Sequence, residues 1–338
     1  MMITVLNSLN RALHTALETD NRVFILGEDI LDPYGGAFKV TQGLSSAYPD
    51  RVLTTPVSEA GIFGVATGMA LRGLRPVVEI MFGDFVTLVA DQLINHAAKF
   101  RFMYNDQVSV PLVVRVPMGG RRGYGPTHSQ SLEKLFIGIP GIRILAPCTF
   151  SDPGQLLLDA IFQDDDPVLY IENKIQYAKP LLNPGKQDDF TLNNIDIQHK
   201  LDYAPTTILR IRDAPEPIAT FVTYGYMAEL SLQAALQLAY QDEIFVELIV
   251  FTQIAPLQMQ PIIDSVNRTN KLLVIEEGTY TLGWGAEVLA RSVELLSGKI
   301  LSASRVASSD NPIPASLTLE SAVLPNVGDI VQAVKKMV

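Results

Sequence analysis

The sequence predicts an α/β protein of two domains, the first built on a parallel sheet with helices on both faces and the second a smaller α/β unit. Three observations predict it. Helical and strand-like apolar patterns alternate along both halves of the chain, which is the signature of strand–helix–strand units. The 338 residues exceed one core of ordinary size, since a domain takes roughly 100 to 200 residues. Residues of the AVILMFWYC set make up 48% and charged residues 18%, which excludes a disordered chain, a collagen and a disulfide scaffold.

The elements follow in order. Residues 3–19 place Val5, Leu9, Ala12, Leu13 and Ala16 at helical spacing. Val23-Phe24-Ile25-Leu26-Gly27 is a short apolar run closed by a turn, a buried strand. A loop around Gly35-Gly36, a short helix at 43–47 and an extended stretch at 51–55 lead into Pro56. Ser58 is placed to cap a helix whose first residue is Glu59. The residues behind it, Gly61 to Leu71, carry almost no polar side chain, so that helix is expected to be buried on all sides, with glycines at 61, 64 and 68 giving a flat face. A strand at 76–81, one helix over 84–102 and a strand at 111–116 complete the series. Prolines, Asn193-Asn194 and Gln187-Asp188-Asp189 then break the periodicity, so residues 181–213 read as a linker between domains 1–180 and 214–338. Beyond it, strands at 218–223, 245–251 and 271–275 alternate with helices at 228–240, 261–267 and 285–297.

Acidic residues outnumber basic ones 36 to 26, for a formal charge of -10, which argues against nucleic acid as a partner. The single cysteine, Cys148, permits no internal disulfide and fits a reducing cytoplasm. No basic segment leads into an apolar one near the start, and no apolar run reaches about 18 residues, so no export and no membrane span are expected. The chain also lacks a phosphate-binding G-x-x-x-x-G-K-[ST] loop, a G-x-S-x-G elbow, H-E-x-x-H and C-x-x-C.

Three segments carry candidate chemistry. Glu59 sits at the edge of an apolar helix, where desolvation favours a proton-sharing carboxyl; stabilisation of the helix dipole is the plainer role. Phe85 follows the strand that ends at Glu79-Ile80-Met81, on the side of an α/β sheet where ligands lie, although core packing also explains it. His128 closes a loop, Met118 to Ser131, with four glycines and a proline between 119 and 126, and its hydroxyl and amide neighbours make it an acid/base candidate.

With those segments quoted, the chain resembles the beta subunit of thiamine diphosphate-dependent 2-oxo acid dehydrogenases of the pyruvate and branched-chain type. The resemblance rests on Phe24-Ile25-Leu26-Gly27-Glu28-Asp29, Thr55-Pro56-Val57-Ser58-Glu59-Ala60-Gly61, Gly73-Leu74-Arg75-Pro76-Val77, Ala90-Asp91-Gln92, His128-Ser129-Gln130-Ser131, Pro140-Gly141 and Val222-Thr223-Tyr224-Gly225. It implies a transketolase-like pyrimidine-binding domain over 1–180 and a transketolase C-terminal domain over 214–338. By the same resemblance, Glu59 bonds a ring nitrogen of the cofactor's aminopyrimidine, Phe85 packs against that ring, and His128 handles protons near the substrate and the incoming lipoyl group. A structural potassium ion is implied as well, on carbonyls of Leu112, Val113 and Ile161 and side chains of Asp164 and Asp166, where the family usually has Asn in place of Asp166.

The superfamily's Gly-Asp-Gly signature is broken at Gly83-Asp84-Phe85, so the magnesium-diphosphate end of the cofactor is expected on a separate alpha subunit of an alpha-2 beta-2 assembly. A lipoyl-bearing acyltransferase core is the second implied partner and a small 2-oxo acid the substrate. Departures from the pattern are Thr127 before His128, Val250-Phe251-Thr252, and the absence of a Gly-Lys-Ala stretch between 183 and 207. They suggest a specialised enzyme of a secondary pathway; separately, an acetoin dehydrogenase, a transketolase-like carboligase subunit and a non-catalytic docking subunit stand as alternatives.

Overall fold

The computed structural model describes residues 3–182, the backbone of 190–195, and residues 203–300 and 302–338. The chain divides into two compact units, unit 1 (Met1–Gly119 and Leu135–Leu181) and unit 2 (Gly120–Lys134 and Leu182–Val338).

Unit 1 opens with helix α1 (Val5–Thr19), whose N-cap Thr4 accepts from the backbone N–H of Asn7 while the Asn7 side chain returns the bond, a reciprocal cap. Then come β1 (Val23–Gly27), α2 (Leu44–Ala47), β2 (Val52–Thr54), α3 (Glu59–Leu71), β3 (Arg75–Glu79), α4 (Ala98–Met103), β4 (Val113–Met118), β5 (Arg143–Leu145), α5 (Pro153–Gln163) and β6 (Val168–Asn173). The strands pair in parallel in the order β5-β6-β4-β3-β1-β2, so their carboxyl ends share one edge. α5 is started by Asp152, which accepts from the N–H groups of Gly154 and Gln155, and Pro153 adds a preset φ at the first turn.

Two expectations for this unit change. The single helix foreseen over 84–102 is a 3-10 turn at Gly83–Val89, a π segment at Gln92–Ala97 and then α4. Val86, Thr87 and Val89 are β-branched and resist a regular α-turn, and the Thr87 hydroxyl donates to the carbonyl of Asp84. Helix α3 begins at Glu59 as expected, but it is covered on one side only: Ile62, Phe63, Ala66, Thr67 and Ala70 are buried, while Gly61, Gly64 and Gly68 are exposed and Val65 is 58% exposed. A Cβ placed at Gly64 or Gly68 meets nothing within 4 Å.

Unit 2 contains β7 (Phe190–Ile195), β8 (Thr206–Ile211), β9 (Ala219–Tyr224), α6 (Met227–Asp242), β10 (Val246–Phe251), β11 (Gln253–Ala255), α7 (Gln260–Thr269), β12 (Lys271–Thr279), α8 (Trp284–Leu296), β13 (Ser302–Ser308), α9 (Leu317–Val323) and α10 (Val327–Lys335). Its sheet runs β13-β12-β9-β10-β8-β7. β13, β12, β9 and β10 are parallel, and β8 and β7 join antiparallel. The stretch 181–213 is therefore not a plain linker, because two of its segments are strands of this sheet; residues 183–189 and 196–202 lie outside the described residues. Residues 120–134 pack with unit 2 although they fall within the 1–180 expected for the first domain. Their hydrogen bonds, given below, run to residues near 277 and 320. Among the described residues no helix is long and apolar enough to cross a membrane.

Candidate active site

At the carboxyl edge of the unit 1 sheet, β1 runs into Glu28 and β2 runs through Pro56 into Glu59 at the start of α3. Both carboxylates are buried, Glu59 to 8% exposure. Desolvation, reinforced by the charge of Glu59, raises the pKa of Glu28, against the backbone N–H of Ser58, which donates to it. One oxygen of Glu28 is buried without a hydrogen-bond partner. Ser58 occupies the N-cap position but its hydroxyl makes no capping bond, so the helix start is served by the Glu59 carboxylate and not by the serine. α3 packs on the Gly83–Val89 turn that carries Phe85. Phe85 is half-buried and meets Phe82 edge-on at 5.9 Å; Phe82 in turn meets Phe38 at 5.6 Å, and Phe38 stacks on Tyr177 at 5.2 Å.

Behind that edge lies a buried ion cluster. Arg115 on β4 donates to Glu79 at 2.6 Å and to both oxygens of Glu172 at 2.7 Å, and the Tyr177 hydroxyl donates to Glu172 at 2.6 Å. Burial alone lowers the pKa of Arg115, but Glu172 and then Glu79 outweigh it and hold the guanidinium well above its ordinary value.

His128 lies in unit 2. It is half-buried, its N–H donates to the Gly125 carbonyl at 3.3 Å, and its Nδ1 is 3.1 Å from the Thr127 hydroxyl. The structure thus gathers Glu59 and Phe85 in one unit and places His128 in the other. Unit 2 also buries a carboxylate group that sequence reasoning passed over. The Tyr224 hydroxyl donates to Glu133, and Glu276 accepts from the Gly285 N–H at 2.9 Å. Desolvation pushes Glu276 up to about 7, helped by the charge of Glu133, and raises Glu133 as well. Tyr224 packs edge-on against Trp284 at 5.1 Å. A signal was present in the sequence: Glu276-Glu277 directly continues the apolar run Leu272 to Ile275, which puts charge where a strand is still buried.

The residues expected to hold potassium are engaged otherwise. The carbonyl of Leu112 accepts from Val168, and that of Ile161 accepts from Arg75 at 2.7 Å. Val113 is paired within the sheet. Arg75 also donates to the Asp164 carbonyl and the Asp165 side chain, each at 3.0 Å. Asp164 binds Arg143 at 3.1 Å and Asp166 binds Arg101 at 2.5 Å. A hard cation needs such oxygens turned onto itself. Here the guanidinium groups of Arg75, Arg143 and Arg101 take the Ile161 carbonyl and the Asp164 and Asp166 side chains, so in this arrangement those oxygens face arginines and not a shared cation. Among the described residues no three His, Cys, Asp or Glu side chains converge to hold one.

Two α/β units, with a buried glutamate leading a helix at a strand edge, belong to a transketolase-like protein by the family models that match them. The family model "Transketolase, pyrimidine binding domain" matches residues 1–180 and "Transketolase, C-terminal domain" matches 210–330. The chain is 35% identical over 349 residues to the pyruvate dehydrogenase E1 component subunit beta of Rickettsia conorii, covering 100% of this chain and 98% of that one. It is 38% identical over 340 residues to the mitochondrial pyruvate dehydrogenase E1 component subunit beta of Drosophila melanogaster, covering 99% and 89%. Among solved structures, a chain described as "Split gene transketolase, inactive beta4 tetramer" superposes with a TM-score of 0.73 at 17% identity over 99% of this chain and 98% of that one, a likeness of fold. The chain belongs to the family of pyruvate dehydrogenase E1 component beta subunits.

Proposed function

We propose that this chain is the beta subunit of a heterotetrameric 2-oxo acid dehydrogenase, which decarboxylates pyruvate or a related 2-oxo acid with thiamine diphosphate and passes the acyl group to a lipoyl domain. The observation that carries the reading is the buried Glu59 beside the desolvated Glu28 at the carboxyl edge of a parallel sheet. Glu28's unpartnered buried oxygen fits a polar group lodged at this edge. When bound, thiamine diphosphate supplies the electron sink for loss of carbon dioxide. Glu59 holds a proton at the ring nitrogen of the aminopyrimidine, Phe85 presents an aromatic face to that ring, and His128 exchanges protons with the incoming lipoyl sulfur.

The chain lacks the Gly-Asp-Gly signature, so the alpha subunit holds magnesium and the diphosphate. The exposed apolar face of α3, with Gly61, Gly64, Val65 and Gly68, supports a partner chain. The test is Glu59→Gln in the assembled enzyme. Turnover is expected to fall by about a hundredfold or more with an unchanged melting temperature, because the amide keeps the shape and loses the proton. Near-normal decarboxylation by this variant would remove the assignment.

A further inference from the structure

In the loop that carries His128, positive φ recurs at every second residue, Gly119, Arg121, Gly123 and Gly125. Such alternation turns successive backbone N–H groups to one side and makes a concavity that binds anions. In this chain the anion is internal. The Glu320 carboxylate of α9, 1% exposed, accepts from the Arg121 N–H at 2.7 Å through one oxygen and from the Gly123 N–H at 3.0 Å through the other. Glu277 accepts from the Gly120 N–H at 2.8 Å.

The surroundings leave the loop little room. A Cβ at Gly120 would lie 2.6 Å from Leu324 and 3.1 Å from Glu320, and one at Gly123 would lie 2.9 Å from the Ala315 carbonyl. The Arg121 side chain donates to the Pro325 carbonyl at 2.6 Å and lies over the Tyr226 ring. Beyond the histidine, Lys134 donates to the Thr281 carbonyl at 2.7 Å and Glu133 takes the Tyr224 hydroxyl.

We infer that Glu320 is a positioning residue: its carboxylate fills the N–H concavity of residues 120–123 and so fixes the loop that presents His128 for proton exchange. This rests on the role given to His128 above. A bidentate carboxylate is the right group, because two convergent N–H donors with positive φ between them suit one planar anion and leave an amide with a donor facing a donor.

The experiment uses the full chain assembled with its alpha subunit and compares Glu320→Gln, Gly123→Ala and His128→Gln with the parent. Limited trypsin digestion reads the loop directly, since Arg121 and Arg122 lie in it. Glu320→Gln is expected to speed cleavage there by about tenfold, and to lower kcat for acyl transfer to a lipoyl domain by about tenfold with little change in KM for the 2-oxo acid. Added to His128→Gln it should cost no more, because both act through one group. Gly123→Ala attacks the same bonds from the loop side and should give the same pattern if Glu320→Gln misfolds.

Unchanged cleavage in both variants overturns the clamp. Faster cleavage with full acyl transfer, while His128→Gln loses it, overturns the positioning role. Full acyl transfer by His128→Gln sinks the histidine's role itself and takes this one with it, a result separate from the other two.

Discussion

In unit 1 the buried carboxylates of Glu79 and Glu172 flank the Arg115 guanidinium, whereas in unit 2 those of Glu133 and Glu276 lie with a tyrosine hydroxyl and backbone N–H groups. The first arrangement sets two carboxylates against one guanidinium, so it depends on a single cation, and burial still raises the pKa of Glu79. The second has dipoles but less opposite charge, so it stores its cost in protonation, and Glu276 keeps its proton to about pH 7. Both clusters are buried, and in the second Glu276 is raised to about 7.

The largest effect that would break this contrast comes from Arg115→Met, which strands two buried carboxylates. It is expected to cost about 3 to 5 kcal/mol or to prevent folding outright, read by urea unfolding at pH 7. A loss under about 1 kcal/mol would mean that the cluster is not held by its cation.

Glu276→Gln sharpens the other side. A carboxyl raised from 4.5 to about 7 holds its proton in the folded state after the unfolded chain has released it, so stability falls as pH rises from about 4.5 to 7 and stays lowered above that. The variant should therefore be more stable than the parent by up to about 3 kcal/mol at pH 8 and by little at pH 5. An equal difference at both pH values contradicts the assignment of the proton.

The smallest effects concern Arg75. Arg75→Met should lower stability by roughly 1 to 3 kcal/mol, since it uncaps the carbonyls of Ile161 and Asp164. Exchange of potassium for a bulky organic cation should leave the parent's melting temperature unmoved. A clear drop on potassium removal would restore the ion and displace the arginine.

How much of this was legible in the sequence depended on the distance over which it was decided. Helix α3 and its first residue Glu59 were readable, because Ser58, Glu59 and the apolar run that follows are local signals. Strands β7 and β8 were missed, because Asn193, Asn194 and Pro205 read as loop while their pairing with each other and with β10 is settled by partners as far away as residue 251. The one-sided exposure of α3 was equally hidden, since an apolar helix reads the same whether its second face meets this chain or another. Glu59, Phe85 and His128 stand out from local context, whereas the Glu320 contact does not, for nothing in Leu317-Thr318-Leu319-Glu320 announces hydrogen bonds to a loop 199 residues earlier.

That separation has a consequence for the growing chain. At roughly 5 to 20 residues per second, the ribosome makes Glu320 about 10 to 40 s after Arg121. Through that interval the glycine loop has its N–H groups but lacks the Glu320 carboxylate to close on, and Arg121 and Arg122 stay open to proteolysis. The loop around His128 gains its carboxylate only once Glu320 has been made, so shortened products ending before residue 320 would keep the sheet edge around Glu59 while the N–H groups of Arg121 and Gly123 stay unfilled.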